Sequence, residues 1–455
     1  MTDAAAPGRQ PYAVFTEGKI IRHVAVMTAT GSIGLMAIFA VDLLSLWYLS
    51  HLDHHDTIIA GVGFAYQVLF FTTSIGIGLT IAVTATCAKT IGAGRRADAR
   101  RLAASGLTHM VLISTLVVVA ILPFREPILT LLGARDETLA IAKNFLAITL
   151  PANVIMAVGM GLSGVLRAVG DARRAMYVTL AGGLVTVFTD PLFIFVFGFG
   201  VYGAAIATVI SRCVFVCIGT WGVIRIHNML ARPNLRALIA DWPIIMAIAV
   251  PAVLTNLATP VANAFITRTM AHFGEEAIAA TAIIDRLVPV AFGVVFALSG
   301  AVGSILGQNL GAKLIKRVKR TLTDSLLLCG IYVILTWALL ALFAKQIPGV
   351  FYAKGLTAHY VEFFCTWGVS AWFFVSGLFV ANACFNNLGF PVLSTVFNWT
   401  RATLGTIPFV WIGTAYYGVE GGQIGIAIGA AIFGTLSILT SYFVVDRLAA
   451  KQQAV

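Results

Sequence analysis

Among the few ionisable residues inside otherwise apolar stretches, Asp42, Asp190, Arg212, Asp285, Arg286 and Arg401 stand out. A charge in hydrocarbon is costly enough that each is a candidate for function. Asp42 lies deep in GLMAIFAVDLLSLWYL, seven residues and so roughly 10 Å from the end of its run at 1.5 Å per residue, well inside a ~30 Å bilayer core. That depth prevents the carboxylate from snorkelling to the interface. Asp190 follows LAGGLVTVFTDPLF, where Pro191 removes a backbone donor and Gly182 and Gly183 permit bending, so a second carboxylate sits beside a break in a helical ladder. A buried carboxylate of this kind can take up and release a proton or a small cation during a cycle. Thr186, one turn before Asp190, and Thr208 could complete a polar cluster, although threonines in apolar helices often only bond back to their own carbonyls. Asp285 and Arg286 are adjacent and therefore do not face one another. Arg212 and Arg401 are expected to pack against polar groups between helices.

Other patterns carry less chemistry. GLSG at Gly161 to Gly164 has the spacing of an intramembrane serine nucleophile, but no histidine after Ser163 falls within an apolar run, and that chemistry needs a base within reach. Small-residue helix packing accounts for it better. LDHHD at Leu52 to Asp56 reads as a solvated turn rather than a metal site. The six cysteines are scattered without ligand spacing and read as small packing residues. No metal, cofactor or enzymatic activity is expected.

The elements that position these residues are spanning helices. Hydrophobic residues make up 59% of the chain and charged residues 11%, with a mean hydropathy of +0.93, outside the range of soluble domains. Runs of about 20 apolar residues number twelve, roughly at 24–49, 57–87, 102–123, 144–166, 176–198, 202–224, 243–270, 277–306, 322–344, 361–385, 392–414 and 423–445. The fold class is therefore an all-α polytopic membrane protein. The first 20 residues have no apolar core, so no cleavable signal is expected and the first helix would direct insertion.

The halves repeat. CAKTIGAGRRADARR at Cys87 to Arg101 corresponds to LGQNLGAKLIKRVKR at Leu306 to Arg320, and Gly164 to Gly170 corresponds to Ala383 to Gly389, both offset by 219 residues. YLSHL at Tyr48 answers TMAHF at Thr269, offset by 221. A duplication this long inside lipid is transporter architecture. It divides the chain into a segment 1–23, a first lobe 24–224, a linker 225–242, a second lobe 243–445 and a tail 446–455. The even number of spans per half relates the two pseudo-symmetric six-helix lobes by an axis along the membrane normal. The matches to Asp42 and Asp190 in the second half are Asn263 and Phe409, so titratable chemistry is concentrated in the first lobe, with Asp285 and Asn263 as secondary candidates.

The net charge of +11 does not mark a nucleic-acid partner. Of the 30 Lys and Arg, 21 lie in the amino-terminal segment, the tail and the second, fourth, sixth and eighth connections, while the first and fifth hold none. The positive-inside rule then places both termini in the cytoplasm.

VDLLSLWYLSHL, RAVGDARRAM, TDPLFIFVFGFGVYGAAIAT, LGQNLGA and the doubled six-helix plan together resemble the multidrug and toxic compound extrusion family over nearly the whole chain. The resemblance implies two lobes facing a central cavity in the inner (plasma) membrane, and a monomer exporting bulky, mostly cationic drug-like compounds in exchange for inward H⁺ or Na⁺. It places the family's cation-binding aspartates on Asp42 and Asp190 and its threonine on Thr208. Many relatives carry an asparagine where this chain has Thr186, a departure that favours H⁺ over Na⁺. A lipid-linked precursor flippase of the same superfamily is the alternative; such proteins tend to line the cavity with cationic groups, whereas the deep groups of this first lobe are carboxylates.

Overall fold

The computed structural model describes residues 13–52 and 55–453, and among these all the regular structure is helical, with no strand. Helices are the solution lipid permits, because each satisfies its own backbone polar groups. The spans are α1 (Ile20–Leu49), α2 (His55–Gly92), α3 (Arg96–Ile121), α4 (Asp136–Val169), α5 (Ala172–Pro191), α6 (Val201–Thr220), α7 (Leu235–Met270), α8 (Glu275–Gly311), α9 (Ile315–Leu342) and α10 (Gly355–Leu388). The remaining length, Pro391–Gln453, bends back at Tyr417 and Gly418, where the glycine takes φ +56°. It therefore supplies α11 (391–416) and α12 (419–453), completing twelve spans.

Several helices outrun the expected apolar stretches. α4 has 34 residues, about 51 Å of helix against a ~30 Å core, since polar ends continue the helix beyond the hydrocarbon. The irregular part of the connection between the halves is short for the same reason. α6 continues through a widened turn, Trp221–Ile226, and Asn234 caps α7 by accepting from the Arg236 N–H at 3.0 Å. Four cysteines are buried, whereas Cys213 and Cys217 are exposed on α6.

Packing repeats as the sequence does. In the first lobe α2 packs on α4, α4 on α6 and α1 on α5; in the second, α8 packs on α10, α10 on α12 and α7 on α11. Repeat-related Gly170 and Gly389 end α4 and α10 in the left-handed region, at φ +97° and +91°, which a glycine enters without steric cost. The lobes meet through α1 with α8, α2 with α7, and α2 with α8.

They meet tightly at the end of the bundle where α1 begins. A Cβ added to Gly92 would fall 2.0 Å from the Gln308 carbonyl oxygen, and one on its repeat partner Gly311 would fall 1.9 Å from that of Lys89. Both glycines are there because backbone lies against backbone. Gly92→Ala and Gly311→Ala are expected to cost about 1–3 kcal/mol each by overpacking, visible as a lowered melting temperature of the solubilised protein. Gly94→Ala, where an added Cβ meets nothing within 4 Å, bears only the penalty of φ +73°.

Two chain segments brace this seam reciprocally. The segment before α1 inserts Phe15, 2% exposed, against the second lobe. The Phe15 N–H donates to Gln308 Oε1 at 3.0 Å, Asn309 Nδ2 donates to the Phe15 carbonyl at 3.2 Å, and Arg317 donates to the carbonyls of Phe15, Glu17 and Gly18. Gln308 reaches the first lobe too, donating to the Ala168 carbonyl at 2.7 Å. The segment before α7 is held in turn by first-lobe arginines, Arg96 on the His227 carbonyl and Arg100 on that of Leu230. Asp241 in α7 is buried between Ser105, at 2.7 Å, and Arg101, at 3.2 Å. At the α4–α5 corner, burial pushes the Asp171 carboxyl up, but hydrogen bonds from His227 and Arg174 outweigh it and hold it at about 2.

Candidate functional site

Asp42, Asn263, Asp285 and Arg286 all have exposed side chains although they lie well inside their spans. Charged groups facing acyl chains at that depth would be prohibitive, so these line a water-accessible gap between the lobes.

On the first-lobe wall, α1 presents Asp42 and, one turn on, Ser45, the spacing that puts two side chains on one helical face. Ser45 Oγ crosses to α5 and donates to Asp190 Oδ2. Asp190 is 1% exposed, and its Oδ1 is buried with no hydrogen-bond partner among the described residues. A buried carboxylate oxygen without a donor is unusual, because the missing bond leaves its desolvation uncompensated. The local backbone explains the placement. Asp190 ends the regular part of α5, Pro191 follows, and Leu192–Val196 forms a widened turn that breaks the ladder. Gly182 lets α6 press close, since an added Cβ would meet the Phe215 ring at 1.8 Å, and Ser211 on α6 donates to the Gly182 carbonyl at 2.8 Å.

Asp42, Asp190, Arg212 and Tyr66 are close enough to interact electrostatically. Arg212 nevertheless makes its hydrogen bond to the Thr149 carbonyl, at 2.9 Å, so it steadies the junction of α4 and α6 while its charge offsets Asp42 in part. None of the three aspartates Asp42, Asp190 and Asp285 has an ion-pair partner within 4.0 Å among the described residues.

Asp42 and Asp190 stand on helices that pack together, α1 and α5, and Ser45 of α1 bonds to Asp190. Thr186 and Thr208 do not join them through their protons, which go to their own helices, to the Gly182 carbonyl at 3.0 Å and the Ala204 carbonyl at 2.9 Å. Asp285 and Asn263 belong to the opposite wall, on α8 and α7. Sequence reasoning missed Ser45 and Tyr66. Ser45 had a signal in its three-residue distance from Asp42; Tyr66 had none beyond lying in α2. Ser163 is buried, 3% exposed, donating to the Ala175 carbonyl at 3.3 Å and accepting from Arg167 at 2.8 Å, which is helix packing and not nucleophile geometry. His54, in the LDHHD stretch, lies outside the described residues.

Comparisons with known proteins agree with this architecture. A FAD transporter of Shewanella oneidensis is 29% identical over 93% of both chains. Multidrug export protein MepA of Staphylococcus aureus is 22% identical over 91% of this chain and 92% of its own. An outward-facing structure of a multidrug resistance MATE family transporter of the MOP superfamily superposes with a TM-score of 0.90 at 20% identity, covering 97% of this chain and 99% of that one. The MatE family model matches residues 32–192 and matches again over 251–412, once in each lobe. With both repeats matched and the same twelve-helix fold, the chain belongs to the MatE family and is a membrane transporter, not an enzyme.

Proposed function

We propose that this transporter is a secondary active exporter that exchanges bulky, mostly cationic organic compounds for inward H⁺. The observation that carries the reading is the pair Asp42 and Asp190, the first open to the gap and the second buried with one oxygen unpartnered. A proton arriving at Asp42 has a second carboxylate beside it with an acceptor oxygen free, and cargo and proton can compete for the negative charge of the wall. The relatives named as multidrug exporters support the cargo class. Na⁺ is less well served, because the Thr186 and Thr208 hydroxyls already bond within their helices and no amide carbonyl stands at Thr186. In this reading the protein works as a monomer without cofactor in the plasma membrane, with both termini and the closed seam in the cytoplasm.

Transport in everted vesicles, with a pH gradient and a Na⁺ gradient imposed separately, tests the coupling. One pH unit supplies about 1.4 kcal/mol per proton and 100 mV about 2.3 kcal/mol per charge, so either concentrates a dye cation severalfold. Movement should persist without Na⁺ and stop when the pH gradient is collapsed. Strict Na⁺ dependence would instead make Asp42, Asp190, Thr186 and Thr208 an oxygen site for that ion. Orientation is checked by labelling with an impermeant thiol reagent: in intact cells a cysteine at Glu275 should react and one at Arg96 or Lys316 should not.

A second reading of the cargo is favoured by the FAD transporter, the relative here with the higher identity over the full length. In it the exported compound is a flavin nucleotide. Running the vesicle assay with both a dye cation and FAD separates the two.

A further inference from the structure

α5 and α11 occupy matching places in the two lobes, each packed on the first helix of its lobe, and each has a break, α5 at its end and α11 midway. α5 widens at Leu192–Val196 beside Asp190; α11 stops being helical after Ala402 and resumes at Ile407. Interrupted helices in corresponding positions of two repeats are where transporters place their binding groups. Here the ionisable side chains at the two breaks have opposite signs, Asp190 in the first lobe and Arg401 in the second.

Arg401 has no hydrogen bond from its side chain and no carboxylate within ion-pair distance among the described residues, and its Nε is buried without a partner. The side chain as a whole is only half-buried, so its terminal nitrogens reach accessible space. That space is not lipid, where a guanidinium at mid-depth would be costly. On the same helical face lie Asn398 and Ser394, which bond to Asn382 of α10 at 2.9 and 3.3 Å, so the arginine continues a polar stripe inside the second lobe. Its backbone is fixed at the break, where Thr406 Oγ1 donates to the Arg401 carbonyl at 2.9 Å and Gly405 lies directly against that carbonyl. Arg212, a buried arginine of the first lobe, is by contrast occupied with a backbone carbonyl and has Asp42 in its field.

We propose that Arg401 recognises an anionic substituent of the cargo, a phosphate or carboxylate, leaving the first-lobe carboxylates to the coupling ion. A guanidinium presents a planar fork of donors that such groups accept bidentately. The proposal rests on the transport reading above and deepens its second account of the cargo, in which the exported compound carries a negative group as a flavin nucleotide does. A binding measurement without any gradient separates the two. Riboflavin and riboflavin 5′-phosphate share one fluorescent ring system and differ only in the phosphate. Added to the purified full-length protein, the phosphate ester should bind roughly tenfold more tightly or better. Arg401→Gln should erase that preference while leaving riboflavin binding unchanged, and Arg401→Lys, which keeps the charge and controls for folding, should retain part of it. Equal binding of the two flavins by the wild type, failure of both to bind, or equal weakening of both by Arg401→Gln would overturn the assignment. A preserved phosphate preference with no gradient-driven flux would instead leave Arg401 in place and remove the exchange mechanism.

Discussion

Asp42→Asn should abolish gradient-driven efflux while leaving the protein inserted and folded. The amide has nearly the size and hydrogen-bonding reach of the carboxylate and costs less to remove from water, so the membrane should hold a normal amount of the variant. What it cannot do is change charge. A residue that only packs would tolerate this with modest loss, whereas a group that carries the coupling ion would lose function by tenfold or more, the order expected when about 1.4 kcal/mol or more of driving force is disconnected. The measurement is proton-driven efflux of a fluorescent cation, normalised to the protein present. Asn263→Ala, at the matching place in the second lobe, should matter far less. Undiminished transport by Asp42→Asn would remove the first-lobe carboxylate from the coupling role and direct attention to Asp285.

Asp190→Asn should be nearly as damaging, for a different local reason. Asp190 is 1% exposed, accepts from Ser45 and keeps one oxygen unpartnered. An amide there can still accept from Ser45 through its oxygen, but its NH₂ replaces the free acceptor with donors that have nothing to bond. Ser45→Ala keeps the charge and loses only the link between α1 and α5, so transport should fall severalfold rather than vanish, with stability lowered by about 1–3 kcal/mol. If Ser45→Ala proved as inactive as Asp190→Asn, the link itself would be the essential element, and the second carboxylate would be structural.

Much of this was legible beforehand because lipid leaves the chain few options. Apolar runs of spanning length had to be helices, and the 219-residue offset between CAKTIGAGRR and LGQNLGAKLI already related Gly92 to Gly311 before the structure showed each against the opposite lobe. Asp42 and Asp190 could be singled out one at a time, since each is an expense in its own helix. The bond from Ser45, one turn after Asp42, to Asp190 depends on how α1 packs against α5, which no period within either helix encodes. The threonines show the same limit. Composition offered Thr186 and Thr208 as ligands, while the local geometry of a helix gives each hydroxyl a carbonyl one turn back. The breaks in α5 and α11 were half legible: Pro191 announced the first, whereas nothing in Ala402 to Ile407 except Gly405 marked the second.

The bond from Phe15 to Gln308 spans 293 residues of chain. Synthesis at about 5–20 residues per second separates the emergence of its two ends by roughly 15–60 s. For that interval the first six helices are made and inserted while the aromatic ring ahead of them has no pocket, and the arginine that will hold its backbone does not yet exist. The first lobe must therefore persist in the bilayer as a half-finished object, competent to wait, and its closing contact becomes a signal that the second lobe has arrived in register.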